Sequence, residues 1–222
     1  MRDKLLRIYS SLLDFYGPQN WWPGEGPFEV IVGAILTQSA AWGNVEKAIG
    51  NLKKAGALSP QALRSLPLSE LSHLIYPSGY YNAKAIKLKA FAERLGEGYN
   101  NDLEELFSLP IPELRSELLS IHGIGQETAD SIILYAAGRP VFVIDAYSRR
   151  IVRRLGLGVE GNSYESFQAL FTENLPHDEA LFNEYHALLV RHGKSACRRA
   201  PICSECCLSP QCLTFDTTLT KI

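Results

Sequence analysis

The chain has 222 residues, 46% hydrophobic and 21% charged, with a formal net charge of −2, a composition that supports one or two folded domains with a real core and excludes a disordered or fibrous chain. Apolar runs such as 30–36 are far shorter than the roughly 18 residues of a membrane span, and Arg2, Asp3, Lys4 and Arg7 interrupt what would have to be the apolar stretch of a secretion signal. The expected setting is therefore cytoplasmic and reducing, with no membrane partner.

Charge is unevenly distributed. Glu93, Glu97, Asp102, Glu104, Glu105, Glu113 and Glu117 make the middle acidic, whereas Arg139, Arg149, Arg150, Arg153, Arg154, Arg191, Lys194, Arg198 and Arg199 load the last third. A basic face on a nearly neutral protein is compatible with a polyanionic partner, and equally with arginines solvated on helix surfaces.

Taken in chain order, the periodicity is helical nearly throughout. It begins with Leu5, Leu6, Ile8, Tyr9, Leu12 and Leu13, closed by Gly17-Pro18. Trp21-Trp22-Pro23 follows in a Gly- and Pro-rich loop. Ser59-Pro60 pairs an N-cap with a proline at the first helical position, Asn82 precedes a helix over 83–95, and Ser163 precedes one over 164–175. Gly56, Gly79, Gly96 and Gly193 are placed at element ends. Only Val141-Phe142-Val143-Ile144 has strand character, and it is too short to separate from a buried connector. The fold class is all-α, with short helices and short loops.

Helices over 114–119 and 128–137 flank Ser120-Ile121-His122-Gly123-Ile124-Gly125-Gln126. Two glycines one residue apart let backbone N–H groups approach an anion, and the second helix offers its positive end to the same place, so the turn can bind phosphate or can simply be a tight helix connection. Ile124 would pin the two helices together. Asp145 follows the 141–144 run and opens the next helical stretch, the position of an N-cap and a plausible place for a working carboxylate.

The chain's five cysteines all lie in its last third, at Cys197, Cys203, Cys206, Cys207 and Cys212. So dense a group in a reducing compartment points to metal ligation rather than to packing or disulfides. Structural zinc favours two Cys-x2-Cys pairs and only one is present; four thiolates also suit an iron-sulfur cluster.

These motifs resemble the helix-hairpin-helix DNA glycosylase superfamily, specifically its endonuclease III-like branch. The matching segments are Gly123-Ile124-Gly125-Gln126-Glu127-Thr128-Ala129-Asp130, Val143-Ile144-Asp145-Ala146-Tyr147, Gly79-Tyr80-Tyr81-Asn82-Ala83-Lys84-Ala85, Leu36-Thr37-Gln38-Ser39 and the cysteine tail, all in family order. The resemblance implies a two-domain fold: a six-helix barrel over 24–139 containing the hairpin (114–137), and a discontinuous helical domain of 1–23 and 140–222 with a cluster loop at 197–212. It implies Asp145 as catalytic carboxylate and a four-iron, four-sulfur cluster on Cys197, Cys203, Cys206 and Cys212. The first pair is one residue closer than in endonuclease III, which leaves Cys207 as an alternative to Cys206.

The resemblance also implies double-stranded DNA with a damaged base as partner, bound by a monomer associated with the nucleoid. Gln38 and Tyr80 stand where the family inserts into the duplex, Lys84, Arg149 and Lys194 near phosphates, and Gly123, Ile124 and Gly125 on the backbone. Bifunctional members carry a lyase lysine where this chain has Glu127, so base removal without strand nicking is expected, with Glu127 as a second polar group or a carboxylate favourable to the helix dipole. Trp21, Trp22, Pro23 and Trp42 are expected to line the base pocket. Stacking returns about 1–3 kcal/mol per base against the cost of flipping, and an indole face attracts a cation by about 0.5–2 kcal/mol. That favours alkylated purines such as 3-methyladenine, as in the endonuclease III-like 3-methyladenine glycosylases. The competing readings are a mismatch-specific adenine or thymine glycosylase, a bifunctional glycosylase/lyase, and a non-catalytic binder of DNA structures.

Overall fold

The computed structural model describes residues 1–215, and every regular element among them is helical. The chain divides into two compact units, one of Trp22–Arg139 and the other of Met1–Trp21 with the chain from Pro140 onward. No helix among the described residues is long and apolar enough to cross a membrane.

The unit Trp22–Arg139 is organised around a short apolar helix. Helices α1 (Arg2–Tyr16), in the other unit, and α2 (Pro27–Leu36) open the chain, and all seven residues from Val30 to Leu36 are buried. A helix apolar on every side belongs at the centre. Around α2 pack α3 (Trp42–Lys54), α6 (Tyr81–Tyr99) and a π-helical turn at Ile132–Ala136. The short α4 (Pro60–Ser65) and α5 (Leu68–Leu74) lie against α6, and Ser59 caps α4 by accepting from the Ala62 amide at 3.2 Å. After α7 (Leu103–Phe107), helices α8 (Ile111–Ser120) and α9 (Gln126–Ser131) form the hairpin, and α9 runs on into the π turn.

Both ends of α6 differ from expectation, and the hairpin helices begin earlier than expected, α8 at Ile111 and α9 at Gln126. Helix α6 starts at Tyr81 rather than after Asn82, because the chain reverses one step earlier: Gly79 has φ 66° and Tyr80 has φ 45°. Gly96 does not end α6, which continues to Tyr99. Its missing side chain is instead the seat of the Arg64 guanidinium, which donates to the Ala92 carbonyl at 3.1 Å and to Asn101 Oδ1 at 2.5 Å.

In the other unit, α1 buries Leu5, Ile8 and Leu12, and packs on α12 (Glu179–Ser195). Helix α10 (Ala146–Leu155) lies on the same helix, with α11 (Tyr164–Thr172) between them in sequence. Gly193 falls inside α12 rather than at its end; the Tyr147 ring of α10 occupies the space a Cβ there would need. The stretch 141–144 forms no strand. It is an extended connector threaded through the core, Phe142 stacking on Phe171 at 3.8 Å and meeting Phe182 and Tyr185 edge-on. Lacking ladder partners, its backbone is satisfied by side chains: Gln168 donates to the Phe142 carbonyl at 2.8 Å, and the Ile144 amide donates to the Tyr164 hydroxyl at 3.1 Å.

Candidate active site and cysteine cluster

The connector ends on Asp145, which is 9% exposed and caps α10. Its Oδ1 accepts from the Ser148 amide at 2.7 Å and from the Ser148 hydroxyl at 2.8 Å. Cap and oriented carboxylate are thus one device: Oδ1 is fixed by the helix start, and Oδ2 lies 3.9 Å from His186 Nε2 of α12. Burial holds the His186 imidazole below its ordinary pKa, opposed by the Asp145 charge and helped by Lys194. The histidine is therefore neutral at physiological pH, and among the described residues no buried cation pairs with the carboxylate. Sequence reasoning did not single out His186; its placement on the inner face of a helix also carrying Phe182, Tyr185 and Leu189 was the only signal.

In the unit Trp22–Arg139, the hairpin turns at Gly123, φ 81°, where only glycine is at ease. A Cβ there would also strike the aliphatic stem of Lys87, 2.6 Å from its Cδ. Ile124 is buried, and its amide donates to the Ile121 carbonyl at 3.1 Å, so this residue pins the turn. Gly125 is exposed and begins α9. Glu127 is exposed in the first turn of α9, favourable to the helix dipole. The two hairpin helices are stapled by Arg115, whose Nε and Nη2 lie 2.7 and 3.3 Å from the two oxygens of the fully buried Asp130.

Gln38 is half-buried beside this turn. Its amide nitrogen donates to the Gly123 carbonyl at 3.2 Å and to Thr128 Oγ1 at 2.9 Å, while its oxygen accepts from Lys87 Nζ at 2.5 Å. Lys87 and Thr128 thus join the site unannounced by the sequence reading. Lys84 sits elsewhere than expected: it is 2% exposed and donates to the carbonyls of Leu36 at 2.8 Å and Ser78 at 2.6 Å. Burial, with Lys87 nearby, pulls its pKa down to about 8. Such an ammonium ties helix ends together and is not presented to a phosphate. Tyr80, by contrast, is 75% exposed.

Among the aromatics, Trp22 lies against α2, where a Cβ on Gly33 would be 3.0 Å from its ring. It meets Trp42 at 5.3 Å and Tyr135, another residue missed from sequence, at 5.4 Å. Pro23 and Trp42 border a recess of about 480 Å³ whose walls carry Glu25, Glu29, Glu46 and Lys53. Trp21, also half-buried, belongs to the other unit.

The basic residues of α10 are largely committed within their own unit. Arg149 lies over the Phe167 ring at 5.0 Å and donates to the Asn162 carbonyl at 2.8 Å. Arg150 donates to the carbonyls of Cys197 and Gly193, each at 2.9 Å, and Arg154 to those of Arg198 at 2.6 Å and Arg199 at 2.9 Å. Lys194, Arg198 and Arg199 are exposed.

All five cysteines are free thiols. Burial raises the Cys206 thiol, and the neighbouring sulfurs of Cys197, Cys212 and Cys203 raise it further, so four cysteines surround one another. Cys207 points away, into a recess of about 580 Å³ lined by Arg7, Ser10, Ser11 and Asp14 of α1, and burial pushes its thiol up to about 11. Three of these sulfurs have hydrogen-bond partners: Arg154 Nη1 is 3.3 Å from Cys197 Sγ, His192 Nε2 is 3.6 Å from Cys206 Sγ, and Cys212 Sγ is 3.4 Å from the Arg154 carbonyl oxygen. Among the described residues, no three His, Cys, Asp or Glu side chains close on one point as a single metal ion demands. Four thiols grouped in this way are the donor type that an iron-sulfur centre takes.

A sequence model of the HhH-GPD superfamily base excision DNA repair proteins matches residues 32–177. The chain belongs to that superfamily. This HhH-GPD protein is 45% identical over 214 residues to a Methanocaldococcus jannaschii protein named as a DNA repair glycosylase, covering 96% of the present chain and 97% of the relative. It is 29% identical over 187 residues to the endonuclease III of Sulfolobus acidocaldarius, covering 83% and 81%. Among solved structures, the Helicobacter pylori 3-methyladenine DNA glycosylase MagIII, bound to 1,N6-ethenoadenine, superposes with a TM-score of 0.72 at 28% identity, over 86% of this chain and 96% of that one. A trapped endonuclease III–DNA covalent intermediate gives 0.84 at 22% identity over 99% of both chains, a likeness of fold. The HhH-GPD protein is accordingly a DNA glycosylase of base excision repair with the endonuclease III fold.

Proposed function

We propose that this glycosylase is monofunctional and hydrolyses the bond between sugar and an alkylated purine, such as 3-methyladenine, flipped out of double-stranded DNA. The observation that carries the reading is the Asp145 carboxylate, fixed through Oδ1 by Ser148 and facing a neutral histidine through Oδ2. Held that way, it can stabilise the oxocarbenium-like sugar as the bond to the base breaks, and orient the water whose oxygen bonds to the sugar carbon. Glu127, which offers no amine for a Schiff base, supports hydrolysis without strand nicking.

The choice of base is supported by the identity with the Helicobacter pylori 3-methyladenine glycosylase and by an aromatic group of Trp22, Trp42 and Tyr135 near Trp21 and Pro23 in the chain. A cationic base would also be drawn to the carboxylates of the recess beside Trp42. For the DNA itself, the exposed Gly125 at the start of α9 would receive a phosphate, Tyr80 would wedge into the stack, and Lys194 would add a backbone contact. Gln38 would act at the same turn it braces. Cys197, Cys203, Cys206 and Cys212 would hold a four-iron, four-sulfur cluster, which when bound knots the loop that carries Arg198 and Arg199. Their mutual grouping, with Cys207 turned away, supports that ligand set.

The test uses duplexes with single lesions, measuring free base separately from strand breaks without alkali. Release of methylated purine with no nicking, lost in Asp145→Asn, is expected. Nicking that borohydride traps as a protein–DNA adduct refutes the monofunctional reading, and release only of mismatched adenine or thymine refutes the alkyl-purine one.

A further inference from the structure

The sulfur of Cys206 is the end of a hydrogen-bonded chain that runs back to the N-terminal helix. His192 of α12 is 1% exposed, with Nε2 3.6 Å from Cys206 Sγ and Nδ1 2.9 Å from the Tyr16 hydroxyl. The Tyr16 oxygen is in turn 2.8 Å from Ser195 Oγ.

Proton accounting fixes the direction of this chain. Each ring nitrogen faces one partner, Cys206 Sγ on one side and the Tyr16 hydroxyl on the other, and an uncharged imidazole carries one N–H. A cysteine sulfur ligating metal is a thiolate with lone pairs only, and the proton must therefore stand on Nε2. Nδ1 is then bare and accepts from the Tyr16 hydroxyl, while Ser195 Oγ, beside the same oxygen, donates to the Arg191 carbonyl at 3.0 Å. The Tyr16 ring packs edge-on against the imidazole at 5.9 Å, with Arg191 over its face, so the hydroxyl cannot easily swing away.

We propose that His192, locked by Tyr16 in its Nε2-protonated form, donates to the Cys206 ligand sulfur and raises the reduction potential of the cluster. This rests on the cluster reading above. A hydrogen bond to a ligand sulfur draws off electron density and favours the state with one more electron, while the partner behind the histidine fixes its tautomer. Arg154 at Cys197 acts in the same direction from the other side, so two of the four sulfurs face a side-chain donor.

The experiment is a spectroelectrochemical titration of the whole loaded protein, in which the electrode supplies and withdraws one electron and no bond breaks, with iron and sulfide measured on each sample. Tyr16→Phe and His192→Phe are expected to keep their iron and to lower the reduction equilibrium several-fold and about tenfold respectively, tenfold being about 59 mV for a one-electron couple. His192→Gln, whose amide N–H can replace Nε2–H, is expected to restore most of the difference. Unchanged potentials in variants with full iron overturn the proposal. Wild-type protein without iron overturns the cluster reading instead, a separate result. Should His192→Phe not load, Tyr16→Phe decides, since it removes a single hydroxyl from a half-buried ring.

Discussion

Asp145 Oδ2 and His186 Nε2 face each other at 3.9 Å inside the same unit, a carboxylate opposite an imidazole that burial keeps uncharged. The pairing has a pH signature. The folded pKa of His186 lies below its unfolded value of 6.5, so the unfolded chain binds the extra proton first. The associated stability is fully present above about pH 6.5 and is lost as the pH falls through the folded pKa. In urea unfolding at pH 7 and pH 5, His186→Gln is expected to lose less stability between the two than wild type. An equal loss in both would place the acid-sensitive group elsewhere.

Asp145→Asn separates the two roles of this residue. Asparagine caps a helix about as well as aspartate, so α10 should keep its start and stability should change by less than about 0.5 kcal/mol. The charge is lost, and base release is expected to fall by about 100- to 10,000-fold with lesion-DNA binding retained. A large drop in melting temperature would mean that capping, not charge, was the greater contribution.

The Arg115–Asp130 pair predicts how the hairpin fails. Asp130→Ala strands a partly buried guanidinium and is expected to cost about 3 kcal/mol, visible as a lower urea midpoint. Asp130→Ala should weaken DNA binding as a secondary effect of a loosened turn, and to the same degree for intact and damaged duplexes.

Lys84 and Lys194 give opposite results in salt titrations of DNA affinity. Lys194→Gln is expected to lower the slope against log salt by about one with little change in stability. Lys84→Met should leave the slope alone and cost about 1–3 kcal/mol, since the Leu36 and Ser78 carbonyls lose their buried donor. A reduced slope for Lys84→Met would return this residue to the DNA surface.

The sequence read well wherever a local signal governs the structure. Ser59, Asp145 and Ser163 each cap the helix that follows them, and the Gly-x-Gly turn lies between two helices as its spacing requires. Lys84 was misread although the information was present: it shares the stripe of Leu88, Phe91 and Leu95, and a lysine in that register points inward. Gly96 and Gly193 were illegible for another reason. Both look like helix ends, and both are mid-helix because a distant side chain, Arg64 or Tyr147, fills the space. The same holds for Tyr135 beside Trp22 and for His192 beside Tyr16, contacts that only the folded chain brings together.

The buried connector also decides when the carboxylate can lose its place. The Ile144 amide, bonded to a tyrosine hydroxyl among stacked phenyl rings, has no route to solvent through fraying of a helix end or opening of a loop. Its proton should exchange with deuterium at the rate set by global unfolding of the unit, among the slowest in the chain. Asp145, one peptide further on, is therefore anchored to the most persistent part of its unit, and partial unfolding that spares the phenyl stack leaves the carboxylate in register.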